Sequence, residues 1–511
     1  MHTNTIDKFW NGLVWAVFSV ILRLIISIGS SILFVRYLGK IGYGSIIVLG
    51  DFVSIMIVLL SLGLGVVQTR LIPQYMIRKE YGIVKDIVLK IFTFRIGLSV
   101  LIPFLIYLNC DSLTKVMFNG VEKGLIYIAL LLIPIQMTTT CFRGMLEVTY
   151  HQKLVSIGDI TALLVRLTSG MIVILGKMGI IVFFATQAFT DMYLLIIYGY
   201  VFYRKFWNQI HTVARTNFTG KLWSVGVMSM LILLFGKCLD KEMDTQILSY
   251  RLKEAALPEI TIYAISIMLV TRCLSFVGVG VGGVSNLTQA VMSEYVENNN
   301  INGLKSIYQS QLQLYYFIAI PLIFASYVLS DKLLICMYGN SFAGKGDICF
   351  YLFLIFGLTT INYINYPVIF CLGHETKLFK GRSFWGILNV ILSYTLSIYG
   401  AIGVTIATGI CLFGIATYES ILVYYLIKPV YPKVFFNKIL VGSASMSVAM
   451  YILSHQFASY NNYFNLIISG VLGIVLFYVA MMLLKPLNKH TLESQQGLPS
   501  IIKRCFISFA A

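Results

Sequence analysis

Five basic side chains stand inside stretches otherwise apolar enough to cross a bilayer: Arg23, Lys90, Arg95, Arg166 and Arg272. Hydrocarbon does not solvate a guanidinium or an ammonium, and insertion scales put each at about 2.5–3.5 kcal/mol at mid-membrane. Each is therefore expected to face an aqueous cavity or a counter-charge. Arginine lining a wet cavity suits an anion, because the guanidinium fork binds phosphate or carboxylate oxygens through charge-assisted hydrogen bonds. The opposing expectation is that each cation pairs with an acid and only locks helices together. Asp51, Asp159 and Asp191 are the acids at hand, and Asp159 and Arg166 lie on one helical face.

Two carboxylates are candidates for a coupling ion. Asp51 and Glu419 fall within apolar stretches, where a carboxyl group that lacks a partner exchanges protons near neutral pH. Either H+ or Na+ would serve as the driving ion. The competing role for Asp51 is an ion pair with Arg23. Uncharged polar groups form a third set: Gln136 beside Thr138, Thr139 and Thr140, and Asn362 and Asn365 beside Pro367. They are expected either to bond sugar hydroxyls along a pathway or to hydrogen-bond neighbouring helices. The nine cysteines are scattered, with no CxxC and no Cys/His cluster, so neither a metal site nor a disulfide framework is expected. No GxSxG, Walker loop or HExxH occurs, and the six histidines do not pair at catalytic spacing. No enzyme activity and no cofactor is expected.

The elements that must carry these groups follow from composition. Of 511 residues 58% are hydrophobic and 12% charged, and mean hydropathy is +0.84. A soluble domain carries about 45–50% apolar and 25% charged residues. The class is an all-α polytopic membrane protein. About fourteen apolar stretches fit a bilayer crossing, near 10–35, 43–67, 86–108, 124–143, 157–176, 179–203, 222–240, 258–283, 308–329, 348–372, 384–400, 401–427, 438–456 and 463–485. The first reads as a retained helix and not a signal peptide. The net charge of +17 belongs to cytoplasmic loops and not to a nucleic-acid partner. With the amino terminus inside, basic residues favour the inner segments roughly two to one, which places both termini in the cytoplasm. The segment near 241–257 then falls outside, with nearly balanced charge.

The chain also reads as duplicated. Lys8-Phe9-Trp10 opens the first stretch and Lys221-Leu222-Trp223 the seventh. Lys153-Leu154 is followed by Gly176 and Gly179, and Lys377-Leu378 by Gly400 and Gly403, at matching intervals. Two six-helix lobes, 1–221 and 222–430, then precede a helix pair with a cytoplasmic tail, 431–511. Parallel repeats of this kind are common in transporters, with the substrate between the halves.

Arg36-Tyr37-Leu38-Gly39 followed by Gly42-Tyr43-Gly44 resembles the start of bacterial oligosaccharide flippases, the Wzx-type transporters of the MOP superfamily, which also holds MATE exporters and the lipid II flippase MurJ. Tyr399-Gly400-Ala401-Ile402-Gly403 running into Ile406-Ala407-Thr408 is similar to that family's pattern between its eleventh and twelfth helices. Asp240 and Tyr263-Ala264 resemble its second-half opening, and the link near 241–258 is longer than the family's. The resemblance covers residues 1 to about 430. It implies two helical lobes around a central cavity, and a polyprenyl-diphosphate-linked oligosaccharide moved from the inner to the outer leaflet of the bacterial cytoplasmic membrane. Membrane lipid and other polysaccharide assembly proteins are the expected partners. In MurJ-like members arginines of the first and eighth helices line the cavity, and Arg23 and Arg272 match them by helix. On both grounds Arg23, Arg95, Arg166, Arg272, Gln136, Asn362 and Asn365 are the expected substrate-binding residues. The competing functions are a MATE-like multidrug or cation antiporter, which should favour acids and aromatics, and a membrane polysaccharide polymerase or ligase, which should carry a large outer loop.

Overall fold

The structure is a computed structural model. It describes residues 3–78, 80–118, 120–149, 151–209, 219–274, 292, 295–457 and 461–486, with side chains from Leu24 onward apart from a few within helices. Among the described residues all regular structure is helical. The order is α1 (Thr3–Ser61), α2 (Leu64–Ile77), α3 (Tyr81–Leu108), α4 (Cys110–Met117), α5 (Lys123–Val148), α6 (Gln152–Leu175), α7 (Ile180–Lys205), α8 (Thr219–Lys237), α9 (Lys241–Leu252) and α10 (Ala256–Leu274). After 292 come α11 (Ile301–Tyr338), α12 (Gly346–Thr359), α13 (Ile361–Cys371), α14 (Glu375–Leu396), α15 (Ala401–Ile427), α16 (Lys433–Gln456) and α17 (Asn462–Leu484). Eleven helical runs among the described residues are long and apolar enough to cross a bilayer. The protein is a multi-pass membrane protein.

The count is lower than the sequence suggests partly because some expected loops are only breaks in a helix. Leu24–Ser61 runs 38 residues, about 57 Å at 1.5 Å per residue, nearly twice the roughly 30 Å of a hydrocarbon core. Gly39 interrupts it at φ 67° and ψ −177°, a conformation open to glycine and costly for other residues. The carbonyl of Lys40 then accepts from Thr261 Oγ1 at 2.5 Å. The segment 241–257, expected as an outer connection, is instead largely helical. Residues 244–249 of α9 are buried, and Lys253, at φ 54°, breaks the run before α10. Residues 330–338 likewise extend α11 rather than forming a loop.

The chain divides into two compact units. Unit 1 holds residues 1–264 and 386–404. Its interior includes Leu64, Val67 and Ile72 of α2, Val84, Ile87 and Ile91 of α3, Met145 of α5 and Phe202 of α7. Gln246 Nε2 donates to Val48 O at 2.8 Å and Ser249 Oγ to Met117 O at 2.7 Å, so α9 is pinned to α1 and α4. A Cβ on Gly44 would stand 2.3 Å from Leu257 O, so only glycine allows α1 so close to α10. Glu259 Oε2 accepts from the Ala401 amide at 2.9 Å, a carboxylate at the positive end of α15.

Unit 2 holds residues 265–385 and 405–511. Here α11 packs on α12, α16 and α17, around Ile320, Phe435, Ile439 and Met481. Ser447 Oγ donates to Phe324 O at 3.1 Å, and Lys332 bonds Ser454. An apolar cavity of about 510 Å³ opens between α11, α12 and α16, lined by residues that include Ile323, Tyr327, Phe350, Leu354 and Leu440.

The two glycine pairs of the apparent duplication are not used alike. In the first pair the left-handed residue is Gly179, at φ 37°; in the second it is Gly400, at φ 70°. Gly403 is needed for space, since its Cβ would sit 1.8 Å from Leu396 O.

Candidate anion-binding site

The buried residues of α3 are Val84, Asp86, Ile87, Val88, Ile91, Arg95, Ser99 and Pro103. That is a helical stripe facing the protein, while Phe94, Val100, Leu101 and Phe104 on other faces are exposed as lipid-facing groups would be. Arg95 lies on the inward stripe, and is 5% exposed. Its Nη2 donates to Thr140 Oγ1 of α5 at 3.2 Å, and its Nε is buried with no hydrogen-bond partner. No carboxylate pairs with it among the described residues. Nη1 stands 3.8 Å from where a Cβ on Gly65 would be. Gly65 is the second residue of α2, just past a break at Leu62 (φ 48°) and Gly63 (φ 66°). The first amides of a helix have no partner within it, and the helix dipole adds positive potential there. A guanidinium with unused donors and the start of α2 thus converge inside the membrane portion of unit 1. Gln68, 1% exposed, fixes α2 against α5 by donating to Cys141 O at 3.2 Å.

A second polar group lies on α5, α6 and α7. Arg166 Nη2 donates to Gln187 Oε1 at 3.1 Å, and Gln136 Nε2 donates to Asp191 Oδ2 at 2.7 Å. The charge of Arg166 also reaches Asp191. Arg166 and Gln136, both expected at the site, thus stand in one polar group with Asp191, which Gln136 bonds directly. The expected pairing of Asp159 with Arg166 does not form. Arg143 takes Asp159 with two bonds of 3.3 and 3.0 Å, and Tyr198 donates to it at 2.8 Å. Arg143 stands at the very end of the apolar stretch 124–143, so the sequence does not mark it as a buried cation.

The other expected residues separate. Lys90 pairs with Asp86 of its own helix at 2.7 Å. The side chain of Arg23 lies outside the described residues. Arg272 is half-buried in the last turn of α10, just before residues that are not described. Asn362 has a buried carbonyl oxygen with no partner. Asn365 is fully buried, accepting from Tyr308 OH at 2.7 Å and donating to Ser420 Oγ at 3.0 Å. Both ends of its amide tie helices of unit 2 together, the helix-bonding arrangement expected as the alternative to substrate contact.

The carboxylates also sort themselves. Asp51 bonds Lys241 of α9 and accepts from Thr245 Oγ1 at 2.9 Å. Its cation comes from the segment expected as a loop, and the pair ties α9 to α1. Glu419 is wholly buried and not solvated at the inner surface, and Arg382 of α14 lies 3.7 Å away. Sequence reasoning missed Asp244. It is fully buried on α9, accepting from Tyr263 OH at 2.5 Å, Ser393 Oγ at 2.9 Å and Asn389 Nδ2 at 3.4 Å. Its one sequence signal was an acid beside hydrophobic Ile247 and Leu248, obscured by the charged neighbours Lys241, Glu242, Arg251 and Lys253.

Solved transporter structures share this fold. Lipid II flippase MurJ in an inward closed conformation aligns over 92% of this chain and 98% of its own, at 15% identity and a TM-score of 0.70. An inward-facing MATE family multidrug resistance transporter covers 81% of this chain and 99% of its own, at 14% identity and a TM-score of 0.62. An outward-facing one covers 80% and 95%, at 15% and 0.56. At such identities the likeness concerns the fold. The family follows from sequence: residues 9–284 match the model described as polysaccharide biosynthesis protein, and the chain belongs to that family. No curated protein matches the chain.

Proposed function

We propose that this protein is a flippase that carries a polyprenyl-diphosphate-linked oligosaccharide from the inner to the outer leaflet of a bacterial cytoplasmic membrane, by alternating access. Arg95 carries the reading: a guanidinium enclosed in a membrane helix, with no carboxylate on it among the described residues and an idle Nε, beside the start of α2. A diphosphate matches both groups, since it supplies oxygens for the fork and negative charge for the helix end. Arg166 with Gln136 adds a second polar group within unit 1, and Arg23 and Arg272 are the further positions that the family resemblance suggests. Family membership supplies the polysaccharide context, and MurJ, which shares the fold, is a lipid II flippase. The lipid tail stays in the bilayer while the charged head crosses. Both termini are placed in the cytoplasm by the charge bias of the loops. Membrane lipid and the polysaccharide assembly proteins are the partners, and H+ or Na+ supplies the drive.

The test is export. Arg95→Ala, at unchanged membrane abundance, is expected to lower surface polysaccharide about ten- to hundred-fold, the range for losing hydrogen bonds to a charged group. Proteoliposomes holding a fluorescent diphosphate-linked glycan should lose translocation in the same variant. Full export by Arg95→Ala would end the anion role. Drug resistance conferred on a pump-deleted host, with no glycan translocation, would favour an antiporter instead.

A further inference from the structure

The pair Glu419 and Arg382 in unit 2 is unfinished in an informative way. Glu419 has no exposed surface, and neither of its carboxyl oxygens has a hydrogen-bond partner. The Nε of Arg382 is 3.7 Å from Oε1, beyond hydrogen-bond reach, and has no partner of its own. The same guanidinium also lies over the ring of Tyr366 on α13, 4.6 Å from its centroid, so Arg382 is shared between the carboxyl group and the ring. An ionised carboxylate enclosed like this would bear a desolvation cost of several kcal/mol, although a cation stands a short movement away. A neutral carboxyl group has no such cost and exerts no comparable pull. The observed placement, with the cation held between ring and carboxyl and no hydrogen bond closed to either carboxyl oxygen, fits the neutral form.

We propose that Glu419 is a proton-binding site and that its charge decides where Arg382 rests. With the proton bound, Arg382 stays on Tyr366 and couples α14 to α13. When the proton passes to water, the carboxylate draws Arg382 into a direct ion pair and couples α14 to α15 instead. The other titratable groups around this cluster are Glu375 on α14, Cys371 on α13 and Tyr418 beside Glu419 on α15. Tyr308, Asn365 and Ser420 form a neutral hydrogen-bonded chain alongside. One feature lets α13 respond: it contains Pro367, which removes a backbone hydrogen bond within the helix. Proton binding would then bias the packing of three helices, which is what a proton-driven conformational cycle requires. This use of the proton rests on the transporter reading. Proton binding itself does not.

The experiment is pH-difference infrared spectroscopy on the full chain in lipid nanodiscs, without substrate. Wild type is expected to show a protonated-carboxyl band that Glu419→Gln lacks. Arg382→Gln should keep the band and shift its midpoint pH. Tyr366→Leu, which removes the second seat of Arg382, should shift it in the opposite sense. An identical band in wild type and Glu419→Gln overturns the proposal. If Glu419→Gln does not fold, unchanged midpoints in both other variants overturn it equally. Because no glycan lipid is present, failure here leaves the flippase reading standing, and failure of the Arg95 export test leaves this result standing.

Discussion

At the scale of single residues, what matters is which buried charges are answered and which are not. Asp51 and Lys241 answer one another across 190 positions of sequence. Lys241→Ala would leave a buried carboxylate alone, and is expected to destabilise the protein by about 3–5 kcal/mol, read as a lower unfolding temperature in detergent. Asp51→Asn combined with Lys241→Met should recover most of that loss, because the uncompensated charge is gone. Arg95 is the opposite case. Arg95→Lys keeps the charge but loses the planar fork, so export is expected to fall nearly as far as in Arg95→Ala, with the fold intact. The presence of a cation at this depth was legible in the sequence, since hydrocarbon on both sides of position 95 leaves no other reading. That no carboxylate meets it among the described residues was not legible, because counter-charges come from other helices, as Arg143 does for Asp159.

At the scale of elements, breaks and close approaches do the positioning. Gly63 takes φ 66°, and a Cβ there would stand 2.0 Å from Gly226 O. Gly63→Ala should therefore both strain the break before α2 and push α8 away. Gly44→Val should force α1 from α10, at about 1–3 kcal/mol, seen in the same thermal assay. Glu259→Ala removes the acceptor at the start of α15 and is expected to cost about 0.5–2 kcal/mol. Apolar runs of bilayer length revealed most of these helices. The helix α9 escaped, because its seven polar or charged residues in 241–252 imitate a loop. Its polar groups are instead buried against Asp51, Val48 O, Met117 O and Ser393, partners supplied by distant segments.

At the scale of the whole molecule, orientation is the property still to be measured. A fluorescent protein fused after Ala511 should fluoresce, and an alkaline phosphatase in its place should stay inactive, since the loop charge bias puts that end in the cytoplasm. An active phosphatase fusion would reverse the orientation. Composition and run length alone determined that the chain is helical and crosses the membrane many times. A backbone in hydrocarbon must satisfy its own hydrogen bonds, and a helix does so locally, within reach of sequence reasoning. Charge pairing is not local. Arg143 meets Asp159, Lys241 meets Asp51 and Arg95 meets Thr140 because of which helix faces pack together. Only the tertiary structure decided that, since a Coulomb interaction depends on distance in space and takes no account of separation along the chain.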